Sequence, residues 1–250
     1  MEMNKETLEK MSQMRLQGMY HAFKTSLEAL HGQGMTTDQF ISWLVANEWD
    51  DRRNRTIERA VKGAAFRYKA SVEDIDYSIE RGLDKNQVQR LAELSFVAEH
   101  KDLFITGSTG TGKSYLATAL GYQACQKGYK VLYANTNRLL GSLKIAKAKG
   151  TILQELKKIE RLDMLILDDF GIQPFDVQAR MNLLDVIEDR HGKKTTIITS
   201  QIPVKDWYEI IGEKTIADAV LDRIVHQALR IELCGESLRK SKSKKESLYL

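Results

Sequence analysis

The stretch from Asp102 to Tyr122, DLFITGSTGTGKSYLATALGY, constrains this chain more than any other. Leu103, Phe104 and Ile105 make a short apolar run of the kind that forms a buried strand. Gly107-Ser108-Thr109-Gly110-Thr111-Gly112-Lys113-Ser114 then fits G-x-x-x-x-G-K-[ST], and Leu116, Ala117, Ala119, Leu120 and Ala124 continue at helical spacing. Glycines let the backbone adopt positive φ and turn its N–H groups onto phosphate oxygens. The helix behind the loop adds its N-terminal dipole to the anion site. Lys113 has the reach for the β- and γ-phosphates, and the Ser114 hydroxyl is of the type that ligates Mg²⁺. Tyr115, directly after the loop, is grouped with it as nucleotide-binding. A flexible surface loop would need neither the Lys-Ser pair nor the strand and helix around it. The pattern predicts a P-loop NTPase.

Met164-Leu165-Ile166-Leu167-Asp168-Asp169 is the second strong signal. Four apolar residues suit a strand buried in a parallel sheet, and two carboxylates follow at its carboxyl end, where ligands sit in open α/β sheets. Asp168 is the expected holder of Mg²⁺, and Asp169 the expected group that polarises the attacking water. The strands Lys130–Asn135, Thr195–Thr199 and Leu229–Leu233 complete a set of five alternating with helices, which predicts a doubly wound parallel sheet. Gln201, beyond the fourth strand, could face the γ-phosphate and position water, or could be a simple turn residue.

The remaining chain offers helices and basic runs. Leu8, Met11, Leu16, Met19, Phe23, Leu27 and Leu30 predict one amphipathic helix over 5–31, ended by Gly32 and Gly34. Thr36 with Gln39 resembles a capping box that opens a second helix at Phe40, Ile41, Leu44 and Val45. That helix carries Arg52, Arg53, Arg55 and Arg59, and a further excess includes Lys144, Lys147 and Lys149. Either run is a solvated helix face or a contact surface for the DNA phosphate backbone. A helical N-terminal domain over 1–69 and an ATPase domain over 70–250 are expected, the second without a full helical lid. Asp84, Thr136, Asp176 and Thr215 are the expected caps of later helices. Net charge is +4, which permits a polyanionic partner without requiring one. Two cysteines without ligand spacing, no signal-like terminus and no long apolar run point to a cytoplasmic protein without membrane contact.

Among P-loop proteins, a GTPase would need a guanine-reading N-K-x-D, and a small-molecule kinase an Arg-rich lid; neither is present. An oligomeric ATPase needs an extra strand between the two nucleotide motifs, a polar residue after the fourth strand and an arginine acting in trans. The strand at Lys130, Gln201 and Arg223 meet those needs. Leu165–Gly171 (LILDDFG), Thr199–Gln201 (TSQ), Ala219–Leu233 (AVLDRIVHQALRIEL), Gly235–Lys240 (GESLRK) and Leu16–Met19 (LQGM) together resemble the IstB family. These are AAA+ helper ATPases of bacterial insertion-sequence transposases, related to DnaC-type helicase loaders. The resemblance covers essentially the whole chain. It implies an AAA+ core that forms a homo-oligomer with ATP on double-stranded DNA and presents the target to a cognate transposase; a DnaC-like replicative helicase loader is the alternative. By position it makes Gln201 sensor I, Arg223 the arginine finger and Arg239 the counterpart of a sensor II arginine. Asp169 stands where the family's wider relatives carry Glu, so slow hydrolysis is expected.

Overall fold

The computed structural model describes residues 2–28 and 34–238. Two compact units divide between Arg59 and Ala60.

In the first unit, α1 (Glu2–Gln13) and α2 (Gln17–Glu28) stand where one helix was expected over 5–31, of which Leu30, with Gly32 beyond it, lies outside the described residues. Arg15 adopts a left-handed φ of 59°. Its N–H donates to the Ser12 carbonyl at 3.0 Å, and the Leu16 N–H reaches back to Met11 at 2.9 Å. This is a helix-ending turn that no glycine announces. The capping box at Thr36 and Gln39 forms as expected, with both reciprocal bonds, and starts α3 (Thr37–Gly63). α2 and α3 touch at Gly18, where a Cβ would lie 2.3 Å from the Asn47 carbonyl oxygen. Buried Glu48 accepts from the Met19 N–H and from Arg52 Nε at 2.6 Å. Burial raises its carboxyl pKa, but those bonds more than compensate and hold it below the usual range.

The second unit carries the sheet. Residues 60–69, which the sequence assigned to the helical domain, pack here: Ala64 is fully buried and its carbonyl accepts from the Tyr133 N–H at 2.8 Å. Phe66 stacks on Tyr122 with ring centroids 4.5 Å apart. After a connector come α4 (Lys85–Ala92), capped by Asp84, and α5 (Ser95–Ala98). The series continues through β1 (Leu103–Gly107), α6 (Lys113–Gln126), β2 (Val131–Asn135), α7 (Thr136–Ala148), α8 (Ile152–Glu160) and β3 (Met164–Phe170). It closes with α9 (Val177–Arg190), β4 (Thr195–Ser200), α10 (Trp207–Ile211), α11 (Lys214–Val225) and β5 (Leu229–Leu233). The order is β2-β3-β4-β1-β5 and every pair is parallel.

Successive strand residues alternate between two cores. Leu103, Ile105, Met164, Ile166 and Ile197 join α4, α5 and α6, while Phe104, Leu165, Leu167 and Ile198 join α7 to α11. Burial on both faces explains why these strands are continuous apolar runs. Asp176 caps α9 as expected. Two caps fall elsewhere: Asn135, not Thr136, accepts the Arg138 N–H at the start of α7, and Glu213, not Thr215, accepts from Thr215 and Ile216 at the start of α11. Thr136 instead lies within α7 and donates to the Asp168 carbonyl at 2.9 Å. At the amino end of the strands, buried Arg190 donates to the carbonyls of Ile159, Leu162 and Thr195 and to Thr196 Oγ1, tying α8, α9 and β4 together.

Candidate functional site

Parallel order brings the carboxyl ends of β1, β3 and β4 side by side, and the loop that leaves β1 lies there. Its glycines adopt the backbone for which they were expected, with φ of 142° at Gly107, 83° at Gly110 and 100° at Gly112. Gly112 is the residue immediately before α6. Lys113 is buried at 6% exposure, and its Nζ donates to the Ser108 carbonyl at 2.8 Å. Burial lowers the pKa of the ammonium, and the charges of Asp168 and Asp169 act against that fall. Thr111 Oγ1 also donates to the Ser108 carbonyl, at 2.9 Å. Two of the motif's own side chains thus fix the Ser108 carbonyl.

Asp168, 1% exposed, receives three hydroxyls. Ser114 Oγ donates to its Oδ1 at 2.7 Å, Thr199 Oγ1 donates to the same oxygen, and the Tyr133 hydroxyl donates to Oδ2. A buried carboxylate beside a serine hydroxyl is a hard oxygen donor set, the kind that Mg²⁺ takes. Asp169 sits at the break in β3–β4 pairing between Leu167 and Phe170, with a left-handed φ of 59°. Such a backbone is uncommon for a residue other than glycine and is found at functional sites. Its N–H donates to Thr199 Oγ1 at 3.2 Å, and Asn135 Nδ2 donates to its Oδ2 at 3.2 Å. Burial and the neighbouring Asp168 raise its pKa, opposed by Asn135, Arg67 and Lys113.

Gln201 follows β4, and its Oε1 accepts from Thr109 Oγ1 at 2.5 Å. The fourth strand's polar tip therefore meets the phosphate-loop motif directly. Ser108 is exposed and its hydroxyl donates to the Gly235 carbonyl at 3.3 Å. Tyr115 points away from the loop, stacked on Tyr68 at 6.2 Å with its hydroxyl against Ser71. Arg223 is not among this group: it donates to the Ala219 carbonyl at 2.7 Å and to Glu188 at 3.2 Å, on α11 and α9. Arg239 lies outside the described residues.

The basic candidates are partly engaged with carboxylates. Arg52 pairs with Glu48, Arg55 with Asp51, and Lys144 with Asp176, while Arg53, Arg59, Lys147 and Lys149 are exposed. Tyr133 and Asn135, which brace the two aspartates, and Arg81, which bonds the loop at the Thr111 carbonyl, belong to no motif in the sequence. The β2–β3 register, Asn135 opposite Asp168, is the relation that brings the first two into place.

A family described as "IstB-like ATP binding protein" matches residues 9–247. A putative insertion sequence ATP-binding protein, y4pL of Sinorhizobium fredii, is 41% identical over 239 residues, 96% of this chain and 98% of its own length. Among solved structures, DnaI superposes with a TM-score of 0.58 at 24% identity, over 70% of this chain and 93% of that one. DnaA from Aquifex aeolicus bound to AMPPCP does so with a TM-score of 0.57 at 21% identity, over 74% of this chain and 56% of that one. At such identity these two show a common fold. No helix among the described residues is long and apolar enough to cross a membrane.

Proposed function

We propose, for a chain that belongs to the IstB-like ATP-binding family, that ATP drives it to assemble on double-stranded DNA and to assist a transposase. Membership makes the chain an ATP-binding P-loop AAA+ ATPase of insertion-sequence type. The finer reading rests on one observation above others. Lys113, Ser114, Asp168, Asp169 and Gln201 gather at one end of the sheet, and Arg223 is bonded elsewhere, to Ala219 and Glu188. With five of its expected residues together and its expected arginine bonded elsewhere, such a site would be completed by a neighbouring subunit.

In this reading the loop amides and Lys113 hold the phosphates, and Ser114 and Asp168 hold Mg²⁺, which neutralises charge developing on the phosphoryl oxygens. Asp169 orients the attacking water and Gln201 senses the γ-phosphate. Arg223 reaches a neighbour's γ-phosphate, and the groove along α11 lined by Asp218, Leu221, Asp222 and Val225 lies on the same helix. Exposed Arg53, Arg59, Lys147 and Lys149, with Arg52, Arg55 and Lys144 exchanging carboxylate for phosphate, contact duplex DNA. The N-terminal helical unit serves DNA, partner or self-association. The insertion-sequence name of the Sinorhizobium relative supports a transposase partner.

Light scattering coupled to size exclusion, with ATP or a slow analogue, on duplex and on single-stranded DNA, tests this. Large complexes only with ATP and duplex are expected, weakening with salt by about 0.9 in log–log slope for each neutralised phosphate. Assembly on single strands alone would point to a helicase loader, and a monomer under all conditions would overturn the reading.

A further inference from the structure

The strap at 235–238 and the buried Arg81 have no catalytic part in the site as built so far, yet both lie against the phosphate loop. Each of its three positive-φ glycines is closely approached where a side chain would stand. A Cβ on Gly107 would lie 2.0 Å from the Leu233 carbonyl oxygen, on Gly110 2.1 Å from Ser237 Oγ, and on Gly112 2.6 Å from Arg81 Nη1. The glycines are therefore seats for a wall made by the end of β5, the strap at 235–238 and Arg81.

That wall also holds carbonyls. The Leu238 N–H donates to the Gly110 carbonyl at 2.9 Å, and Arg81 Nη1 donates to the Thr111 carbonyl at 3.0 Å. In an anion-binding loop the amides converge on the ligand, and any carbonyl that rotates inward repels it. Two consecutive carbonyls are turned outward here, each with its own donor. Arg81 is 6% exposed, its Nη2 donates to the Asp76 carbonyl at 2.9 Å, and its own carbonyl accepts from the Cys234 N–H at 2.9 Å. Its Nε has no partner among the described residues. A buried guanidinium with one donor unmet is costly, and the bonds to Thr111 and Asp76 offset that cost. Burial lowers its pKa, with the charges of Asp76 and Tyr77 opposing.

We propose that Arg81 is a positioning residue of the nucleotide site: with the 235–238 strap it keeps the Gly110 and Thr111 carbonyls out of the anion nest. It sets affinity for nucleotide without touching it. This concerns the loop in a single subunit and stands independently of the DNA and transposase reading.

Titration of the full chain with a fluorescent ATP analogue tests it, using Arg81→Met, Arg81→Lys, Leu238→Pro and, as a dead-site control, Lys113→Ala. Loss of one hydrogen bond from a charged donor predicts about tenfold weaker binding for Arg81→Met. Arg81→Lys, which keeps the charge and one donor, recovers part of that. Leu238→Pro, which deletes the N–H to Gly110, weakens binding in the same way. The loss appears in KM, with kcat at saturating ATP kept within about twofold, as for an interaction equal in ground and transition states. Wild-type affinity in a folded Arg81→Met protein, or a fall in kcat with affinity unchanged, overturns the proposal. If Arg81→Met does not fold, wild-type affinity in Leu238→Pro overturns it instead. Equal failure of the wild type and Lys113→Ala to bind would remove the nucleotide site itself, and Arg81's role with it.

Discussion

Thr199 is the most economical place to strike this site. It is fully buried, its hydroxyl donates to Asp168 Oδ1, and the same oxygen accepts the Asp169 N–H at 3.2 Å. Thr199→Val keeps the shape and removes both bonds. Losing a hydrogen bond to a carboxylate costs about 1.5–3 kcal/mol, and a buried N–H left unmet costs about 1–3 kcal/mol. The added methyl offsets at most about 0.8 kcal/mol. A net loss of about 3 kcal/mol in a unit of this size lowers Tm by about 6–12 °C. Because both aspartates lose a brace, ATP hydrolysis should fall by about 10–100-fold, as for groups that orient metal ligands. Thr199→Ser separates the two causes: it retains the hydroxyl and should keep most of the activity while losing one buried methyl. Calorimetry and a steady-state phosphate-release assay measure both effects. A valine variant melting within about 2 °C of wild type and hydrolysing ATP normally would refute the idea that this hydroxyl holds the pair.

Other perturbations have equally definite outcomes. Asp169→Glu lengthens the arm of the group expected to orient water and should raise kcat in phosphate release; an unchanged or lower kcat argues against slow hydrolysis arising from the short side chain. Asp102 is pushed up to about 7 by burial, against its bond from the Thr196 N–H and the charge of Arg190. Its folded-state pKa lies above the unfolded one, so the folded chain holds the extra proton between about pH 4 and 7 and stability from this group falls as pH rises through that window. Asp102→Asn should therefore gain more in urea midpoint at pH 8 than at pH 5, and an equal difference at both would contradict the sign. Gly18→Ala sets a helix-propensity gain of about 1 kcal/mol against a Cβ placed 2.3 Å from the backbone of α3. The clash should win and lower Tm; a rise would mean that the helices part freely there.

How much of this was legible follows from where each partner lies in the chain. The phosphate loop and the Asp168-Asp169 strand were readable because every group that defines them is local in sequence. β1 and β3 were readable because burial on both faces leaves an apolar run, whereas the edge strand β5 shows as an alternation, with Arg230 and Glu232 exposed between buried Ile231 and Leu233. Caps at Asp84 and Asp176 obeyed local rules, whereas Asn135 and Glu213 displaced the expected Thr136 and Thr215 by one or two residues. Thr136 was drawn off by the Asp168 carbonyl, a partner 32 residues away that periodicity does not show. The break at Arg15 escaped notice because an arginine in the left-handed region carries no composition signal. Tyr133, Arg81 and Arg190 look like ordinary core or surface residues until the parallel register sets them beside their partners.

The proposed mechanism needs an ATP site completed by a second subunit. Mixing Lys113→Ala subunits, which keep the arginine but lack the phosphate-loop lysine, with Arg223→Ala subunits, which have the reverse, tests it most directly. Each variant alone should be inactive. On duplex DNA the mixture should recover ATP hydrolysis at the interfaces where an intact loop meets an intact Arg223. A mixture as inactive as its components, or an Arg223→Ala protein with normal activity by itself, would contradict the trans assignment and the assembly built on it.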